Sequence, residues 1–568
     1  MSSPLSPPPA SATPGGSSPG VSAAGGSAGG SSPGVSAATR GRGTTWLAAL
    51  AGLAAVLAGF GLAELVAGLI APGASPVLVV GALLIDLAPA WAKELVISLF
   101  GTGDKVALVV FIALVAAVLA ALAGILEYRR PPFGRYVIVA AGLVALAAAL
   151  TRAGASPFDA VPPVLAMLVA ALVLSMLTRR LHTSLAPGEA AAAAATDTGR
   201  AAAVTPAAAT RAALDRRRFL AYTGVSAGVG VLAALGGQLL TAGSRAADAA
   251  RAMFTLPAPT VPGAAIPAGA SFAVDGLTPI ITPNAEFYRI DTALSVPRVD
   301  PSTWTLKISG MVENEVEIDF AELLALPLEE STTTLACVSN YVGGDLIGNA
   351  VWLGYPIREL LARAKPRADA DMVLSRSQDG WTASTPIEAL TDERNSILAV
   401  GMNGDPLPLE HGYPVRMVVP GLYGYVSATK WVTELVVTRF DKETAYWSTR
   451  GWSEKGPVKL SSRVDVPRGN ATVDAGTITV AGVAWSQHVG ISAVDVQVDD
   501  GDWNSATLAD AISVDTWRQW RWDWDAPSGS HTIRVRATDA DGLVQTSKLA
   551  DVAPDGATGL HEISVSVS

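Results

Sequence analysis

Cysteine is nearly absent from this chain: Cys337 stands alone among 568 residues. A single thiol excludes a disulfide within the chain and any metal cage built from several cysteines, including the sites that hold iron–sulfur clusters. Histidine is almost as scarce. Only five occur, no CxxCH run for haem attachment is present, and none lies in the apolar stretches described below, so axial ligand pairs for a membrane haem are not expected. The longest basic run is Arg216–Arg218 and the net charge is −10, which argues against a nucleic-acid partner. Charge of either sign is thin at 16%, against 50% hydrophobic residues. With a mean hydropathy of +0.37, part of the chain is expected in a membrane.

The apolar residues are unevenly spread. Residues 1–39 are Ser, Gly, Pro and Ala rich without a charged side chain, and GGSSPGVSAA occurs at 15–24 and again at 29–38; such composition cannot bury a core, so 1–43 reads as a disordered tail. Residues 44–182 read as a helical membrane region. Apolar stretches lie near 46–71, 77–100, 106–126, 136–151 and 161–178, most close to the ~20 residues that cross a bilayer. Arg129, Arg130, Arg135, Arg179 and Arg180 place their loops in the cytoplasm. Stretch 77–100 carries Asp86, Pro89, Lys93 and Glu94 and reads as re-entrant or interfacial, which balances the crossings if the N-terminus is inside; an outside N-terminus would also balance them.

An Ala-rich linker at 183–214 leads to DRRRFLAYTGVSAGVGVLAALGGQLL. In this segment, 215–243, Arg216 and Arg217 before Phe219-Leu220 and a weakly apolar helix resemble a twin-arginine export signal, here internal. A basic stop flanking one more membrane helix would also produce the pattern. A Pro/Ala spacer follows at 244–273. Residues 274–445 alternate short apolar runs with helical pieces, an α+β pattern, and 446–568 alternate strands with Gly/Asp/Ser turns, a β-sandwich pattern.

Cys337 sits in TLACVSNYVGGDLIGNAVWLGYPIREL at 334–360. Taken alone, it reads as a buried apolar thiol, a nucleophile or a single ligand to a soft metal. The run resembles the cysteine loop of the sulfite oxidase-like molybdopterin oxidoreductases, including exported bacterial members without haem, and the resemblance extends over about 275–568. It implies a molybdopterin-binding domain followed by an immunoglobulin-like dimerisation domain, a molybdenum–molybdopterin cofactor, and Cys337 as the metal's thiolate ligand. Gly343 and Gly344 would admit the cofactor close to the backbone. TPNAEFYRIDT resembles the family's pterin-contacting strand and implicates Asn284, Phe287 and Tyr288. HGYPVRMVVPGLYGYVSATKW implicates His411, Arg416, Ser427, Ala428, Thr429 and Lys430, of which Arg416 and Lys430 supply charge suited to a pterin phosphate.

Two departures bear on the substrate. Where sulfite oxidases hold their anion with an arginine after the aromatic pair, this chain has Ile290, with Arg289 one position early. In GWTASTP, Trp381 replaces a tyrosine facing the metal, with Ser384 and Thr385 following, and an indole cannot replace a phenol in proton transfer. Arg289 or Arg376 would then hold an anion. Trp485, Trp503, Trp517 and Trp520 read as core or interface anchors. The expectation is a membrane-anchored oxidoreductase on the outer face of the cytoplasmic membrane. Its substrate would be a small oxyanion or oxide of sulfur or nitrogen, and its partners membrane lipid, a cytochrome or quinone-linked electron carrier and a second copy of the chain. The alternative is a catalytically idle envelope protein that keeps the fold as an interaction module.

Overall fold

The computed structural model describes residues 36–89, 92, 95–96, 99–100, 103–152, 155–198, 206–241, 251 and 253–568. Most of the expected tail, together with Lys93, Glu94 and residues 242–250, lies outside them. Among the described residues five helical spans are long and apolar enough to cross a membrane: Thr44–Ile70, Asp104–Arg129, Phe133–Leu150, Pro157–Thr183 and Leu214–Leu239. They belong to helices α1 (Ser36–Ile70), α3 (Asp104–Arg129), α4 (Phe133–Leu150), α5 (Val161–Thr198) and α6 (Pro206–Thr241). Helix α2 (Pro76–Leu87) has only 12 residues, too few to span ~30 Å of hydrocarbon. Three boundaries differ from expectation. Helix α1 begins inside the tail, and α5 and α6 extend into the Ala-rich linker, because alanine has the highest helix propensity and nothing in AAAAAT breaks the helix.

Small residues bring the membrane helices together. A Cβ on Gly52 would lie 1.9 Å from the Ala120 carbonyl oxygen of α3, and one on Gly61 would lie 1.8 Å from that of Gly230 in α6. Two of the glycines of α6, Gly230 and Gly237, thus have a packing role against α1. At one end of the bundle the Arg180 guanidinium lies 4.0 Å over the Tyr222 ring. His182, stacked on Tyr128 at 4.4 Å, falls inside the Pro157–Thr183 span; the apolar stretch as read from sequence stopped short of it.

The spacer is docked onto the domains it precedes. Arg251 donates to the Leu407 and Pro406 carbonyls at 2.7 and 2.9 Å, Val261 bridges Glu329, and the Phe272 amide donates to Gln519 at 2.8 Å. Residues 305–438 contain two sheets. One has the order β2 (Val316–Asp319), β1 (Thr305–Gly310), β10 (Val432–Thr438), β5 (Met372–Ser377), β6 (Thr382–Pro386). The other runs β3 (Glu329–Ala336), β4 (Ile347–Pro356), β7 (Ile397–Met402), β8 (Asp405–Pro406), with β9 (Arg416–Val418) paired to β7. Helix α7 (Phe320–Ala325) opens on a capping box between Asp319 and Glu322. Helix α8 (Ile357–Ala364) buries Ile357, Leu360, Leu361 and Ala364, the 3.6-residue period of an amphipathic helix. The core gathers Leu306, Ile308, Leu323, Leu360 and Val437 between these layers.

The C-terminal domain is a sandwich of a four-stranded and a five-stranded sheet. Trp520 lies in its core, whereas Trp485 and Trp517 belong to the core of the preceding domain. The Trp517 indole donates to the Ile280 carbonyl at 2.9 Å, and Trp503 is half-buried beneath the Arg536 guanidinium at 4.2 Å.

Candidate active site

Strand β3, buried on both faces, delivers Cys337 at its C-terminal end. The Cys337 amide donates to the Leu346 carbonyl at 2.9 Å, and the Asn340 amide to the Cys337 carbonyl at 3.1 Å. The Asn340 side chain accepts the Leu346 N–H at 2.9 Å, so the loop closes on itself and fixes the thiol. The thiol is buried. Burial pushes its pKa up, while the Ser339 N–H and hydroxyl pull the other way by hydrogen-bonding the thiolate. The glycines of this loop make close contacts within the protein. Gly343 takes φ +77° and presses on His561 of the sandwich, where a Cβ would meet the ring at 2.2 Å, and a Cβ on Gly344 would lie 2.5 Å from the Asn340 side chain.

Facing β4 and β9 is an aromatic group. Phe287 stacks on Tyr288 at 5.3 Å and meets Trp352 and His411 edge-on at 5.7 and 5.5 Å. Tyr288 lies between charges: burial and the nearby Cys337 push its phenol far above the usual range, against a weaker opposing pull from Arg416. Asn284 donates to the Met402 carbonyl at 3.2 Å and accepts from Asn403 at 2.8 Å. Asn403, held in a left-handed turn at φ +54°, also donates to the Thr282 carbonyl at 2.9 Å and so stitches this segment to β7. Sequence reasoning missed Asn403 and Ser339, although an Asn-Gly pair after a buried strand is a turn signal.

The charges converge beside these rings. The Arg416 guanidinium is buried, lies 5.0 Å from the Trp352 ring and donates at 3.3 Å to the Met417 and His411 carbonyls. No carboxylate among the described residues pairs with it. Burial pushes its pKa down to about 10. Lys430 donates to Asp291 at 2.5 Å and to the Glu410 carbonyl at 3.0 Å, and burial, opposed by Asp291, brings its pKa down to about 8. His411 is held neutral at about 3 by burial and by Arg416 and Lys430. Asp291 accepts from Lys430, from Arg289 at 2.9 Å and from Lys105 of α3. Its burial opposes ionisation, but these three cations outweigh it and hold the carboxyl well below its usual range. Two of its three partners, Lys105 and Lys430, are 186 and 139 positions away, so no local pattern in the sequence signals this cluster.

Other expected site residues are tied into the protein. Ser384 donates to the Glu454 carbonyl at 3.3 Å and Thr385 to that of Val426 at 2.6 Å. Ser427 donates to the Tyr423 carbonyl at 2.9 Å, and Thr429 shares a hydrogen bond with Ser375 at 2.6 Å. Ala428 ends the one-turn helix Gly424–Ser427, whose Gly424 faces the Tyr288 hydroxyl. Trp381 is half-buried in the β5–β6 turn, with its carbonyl accepting the Ser377 N–H at 2.9 Å. Arg376 is paired with Glu434 at 3.0 Å.

Cys337, Trp352, His411, Arg416 and Lys430 stand in a segment, residues 293–447, that matches the family described as oxidoreductase molybdopterin binding domain, with residues 284–291 just before it, and residues 461–535 match a bacterial Ig domain. The oxidoreductase YuiH of Bacillus subtilis, described as uncharacterized, is 31% identical over 157 residues, 28% of this chain and 76% of YuiH. The protein-methionine-sulfoxide reductase catalytic subunit MsrP of Burkholderia mallei is 30% identical over 275 residues, 44% of this chain and 78% of that one. The chain belongs to the sulfite oxidase-like molybdopterin-dependent oxidoreductases. Mitochondrial sulfite oxidase of Mus musculus is 28% identical over 321 residues, 48% of this chain. The alignment spans 58% of the mouse protein's length.

The residues present fit the family's cofactor. A buried thiol fixed by its own loop offers one soft ligand. A buried guanidinium without a carboxylate has an uncompensated charge, which an anionic group such as a pterin phosphate would satisfy.

Proposed function

We propose that this protein is a membrane-anchored molybdenum–pterin oxidoreductase that transfers an oxygen atom to or from a small sulfur or nitrogen compound. The observation that carries this reading is the pairing of a buried Cys337 thiol with a buried, carboxylate-free Arg416 in the matched domain. Cys337 would ligate the metal, and Arg416 and Lys430 would hold the anionic part of the cofactor. Phe287 and Tyr288 would wall it, and Asn284 and neutral His411 would supply polar contacts. Bound there, the cofactor would supply two-electron oxygen-atom transfer, and the chain itself orients, excludes water and compensates charge.

The substrate reading favours a neutral oxide over sulfite. Of the two candidates for holding a substrate anion, Arg376 is paired with Glu434 and Arg289 shares Asp291 with Lys430 and Lys105, in the charge cluster assigned to the cofactor, and Ile290 is exposed. A sulfoxide, as in the name of MsrP, demands no such cation; its reduction takes up two electrons and two protons and yields a sulfide and water. With His182 the single histidine in a span, electrons would pass through a separate cytochrome or quinone-linked carrier.

Five crossings with α2 re-entrant place Arg129, Arg130, Arg179, Arg180, Arg216 and Arg217 on one side, as the positive-inside rule requires. The catalytic domain then stands on the outer face. The order Arg216-Arg217-Phe219-Leu220 supports twin-arginine export of that domain, and the sandwich would mediate homodimerisation. The deciding experiment measures molybdenum and pterin in purified protein matured with cofactor supply, followed by turnover of sulfite, sulfoxides and nitrate with artificial donors and acceptors. Near-stoichiometric metal and sulfoxide reduction are expected. Protein without molybdenum would overturn the enzyme reading. Cys337→Ser is expected to abolish turnover while leaving folding and pterin content largely intact, and unchanged activity would refute the ligand assignment.

A further inference from the structure

The stretch that carries Phe287, Tyr288 and Arg289 continues to Leu294, and it meets the membrane helices twice. Asp291 is ion-paired with Lys105 in the first turn of α3. Leu294 seats on Gly81 of α2, where any Cβ would lie 2.4 Å from Leu294 Cδ2 and 3.4 Å from Ile112 Cδ1 of α3. Nearby, Asp86 at the end of α2 pairs with Arg152 at 2.6 Å, accepts from the Tyr446 hydroxyl at 3.4 Å, and through its carbonyl accepts from Arg450 at 2.9 Å. The contact is therefore specific in charge and in shape.

The Asp291 carboxylate is only 6% exposed, and three cations share it. Without Lys105, Asp291 would neutralise Lys430 and Arg289 more completely, and a positive charge would also leave the neighbourhood. Both effects reduce attraction for an anion.

We propose that Lys105 is a positioning residue for the cofactor site. Acting through Asp291, it keeps Lys430 directed at an anionic cofactor group, and with Gly81 it fixes the 288–294 stretch, so that the membrane helices are a built part of the oxidoreductase centre. This rests on the cofactor-binding reading above, and its test includes a measurement that does not need the cofactor.

Full-length protein in lipid nanodiscs is compared as wild type, Lys105→Gln, Lys105→Arg, Asp291→Asn and Lys105→Gln with Asp291→Asn. In cofactor-free protein, amide exchange over 288–294 should speed up roughly tenfold in Lys105→Gln, as expected when a charge partner of a buried carboxylate is removed. Lys105→Arg should restore it. In cofactor-loaded protein, molybdenum and pterin retained after dialysis should fall in Lys105→Gln, recover in Lys105→Arg, and fall no further when Lys105→Gln is added to Asp291→Asn. Wild-type exchange and retention in Lys105→Gln, or full additivity with Asp291→Asn, overturns the proposal. Should Lys105→Gln fail to accumulate, Gly81→Leu probes the same stretch from its other contact, and unchanged exchange there is equally fatal. Wild-type protein that carries no pterin would overturn the functional reading alone, because the exchange measurement still decides the coupling.

Discussion

Arg416 and His411 pose the clearest question of residue chemistry: a buried cation and a buried imidazole each cost stability unless something compensates. For Arg416 the compensation is incomplete, with two carbonyls at 3.3 Å and the Trp352 face. Arg416→Met should therefore leave the cofactor-free protein as stable or raise it by about 1 kcal/mol, while cofactor retention falls by roughly tenfold or more, about 1.4 kcal/mol. Calorimetry of the cofactor-free form and metal analysis after dialysis separate the two effects. Lys430, lowered to about 8, loses its charge as pH rises through that value. Binding of an anionic cofactor should weaken above pH 8 and be accompanied there by proton uptake, measurable by titration calorimetry in buffers of different ionisation enthalpy. For His411 the sign is opposite in consequence. It stays neutral in the fold down to about 3, against 6.5 as its ordinary value, so the unfolded chain binds the proton first. Stability is lost as pH falls from 6.5 toward 3, with a slope of up to about 1.4 kcal/mol per pH unit; His411→Gln should flatten that slope in thermal melts.

At the level of elements, the period of α8 is legible in IRELLARA because one face is buried, and burial writes itself into the spacing of apolar residues. The Cys337 loop was legible as a family motif. What was not legible is pairing across the chain. Lys105 and Asp291 are 186 positions apart, and no local pattern signals that contact. The loop glycines show the same limit: GG after a tyrosine announces an unusual backbone, but only the fold shows that Gly343 faces His561. Gly343→Ala would force a side chain onto φ +77° and within 2.2 Å of that ring, at a cost of roughly 1–3 kcal/mol. The expected result is a lower unfolding temperature and looser packing of the sandwich against the Cys337 loop, with accelerated exchange at Val464, whose amide donates to His561 at 3.0 Å. Unchanged melting would mean that the loop relaxes without strain.

At the scale of the whole molecule, the arrangement turns on α2. If this 12-residue helix enters and leaves the same face, five crossings carry the chain from an inside N-terminus to an outside catalytic domain. If α2 crosses, the arginines stay inside and the catalytic domain outside only with an outside N-terminus. The contacts of Asp86 and Lys105 with the catalytic domain put the α2 end and the α3 start on the catalytic side, which either path of α2 allows, because the four spans from α3 onward return the chain to that side. The lone, buried thiol makes this testable, since introduced cysteines have no exposed competitor. In intact cells, Ser156→Cys, between α4 and α5, should react with a membrane-impermeant maleimide. Pro131→Cys, between α3 and α4, should react only after permeabilisation. The reverse pattern would place the oxidoreductase domain inside and remove any need for export. With the orientation established, replacing Arg216 and Arg217 by Lys separates the two origins of the basic motif: twin-arginine transport fails with lysines, whereas a positive-inside stop works equally well. A catalytic domain that still reaches the outer face at normal levels would leave Arg216 and Arg217 with the charge role alone, and α6 as an ordinary membrane helix whose Gly230 and Gly237 serve its packing on α1.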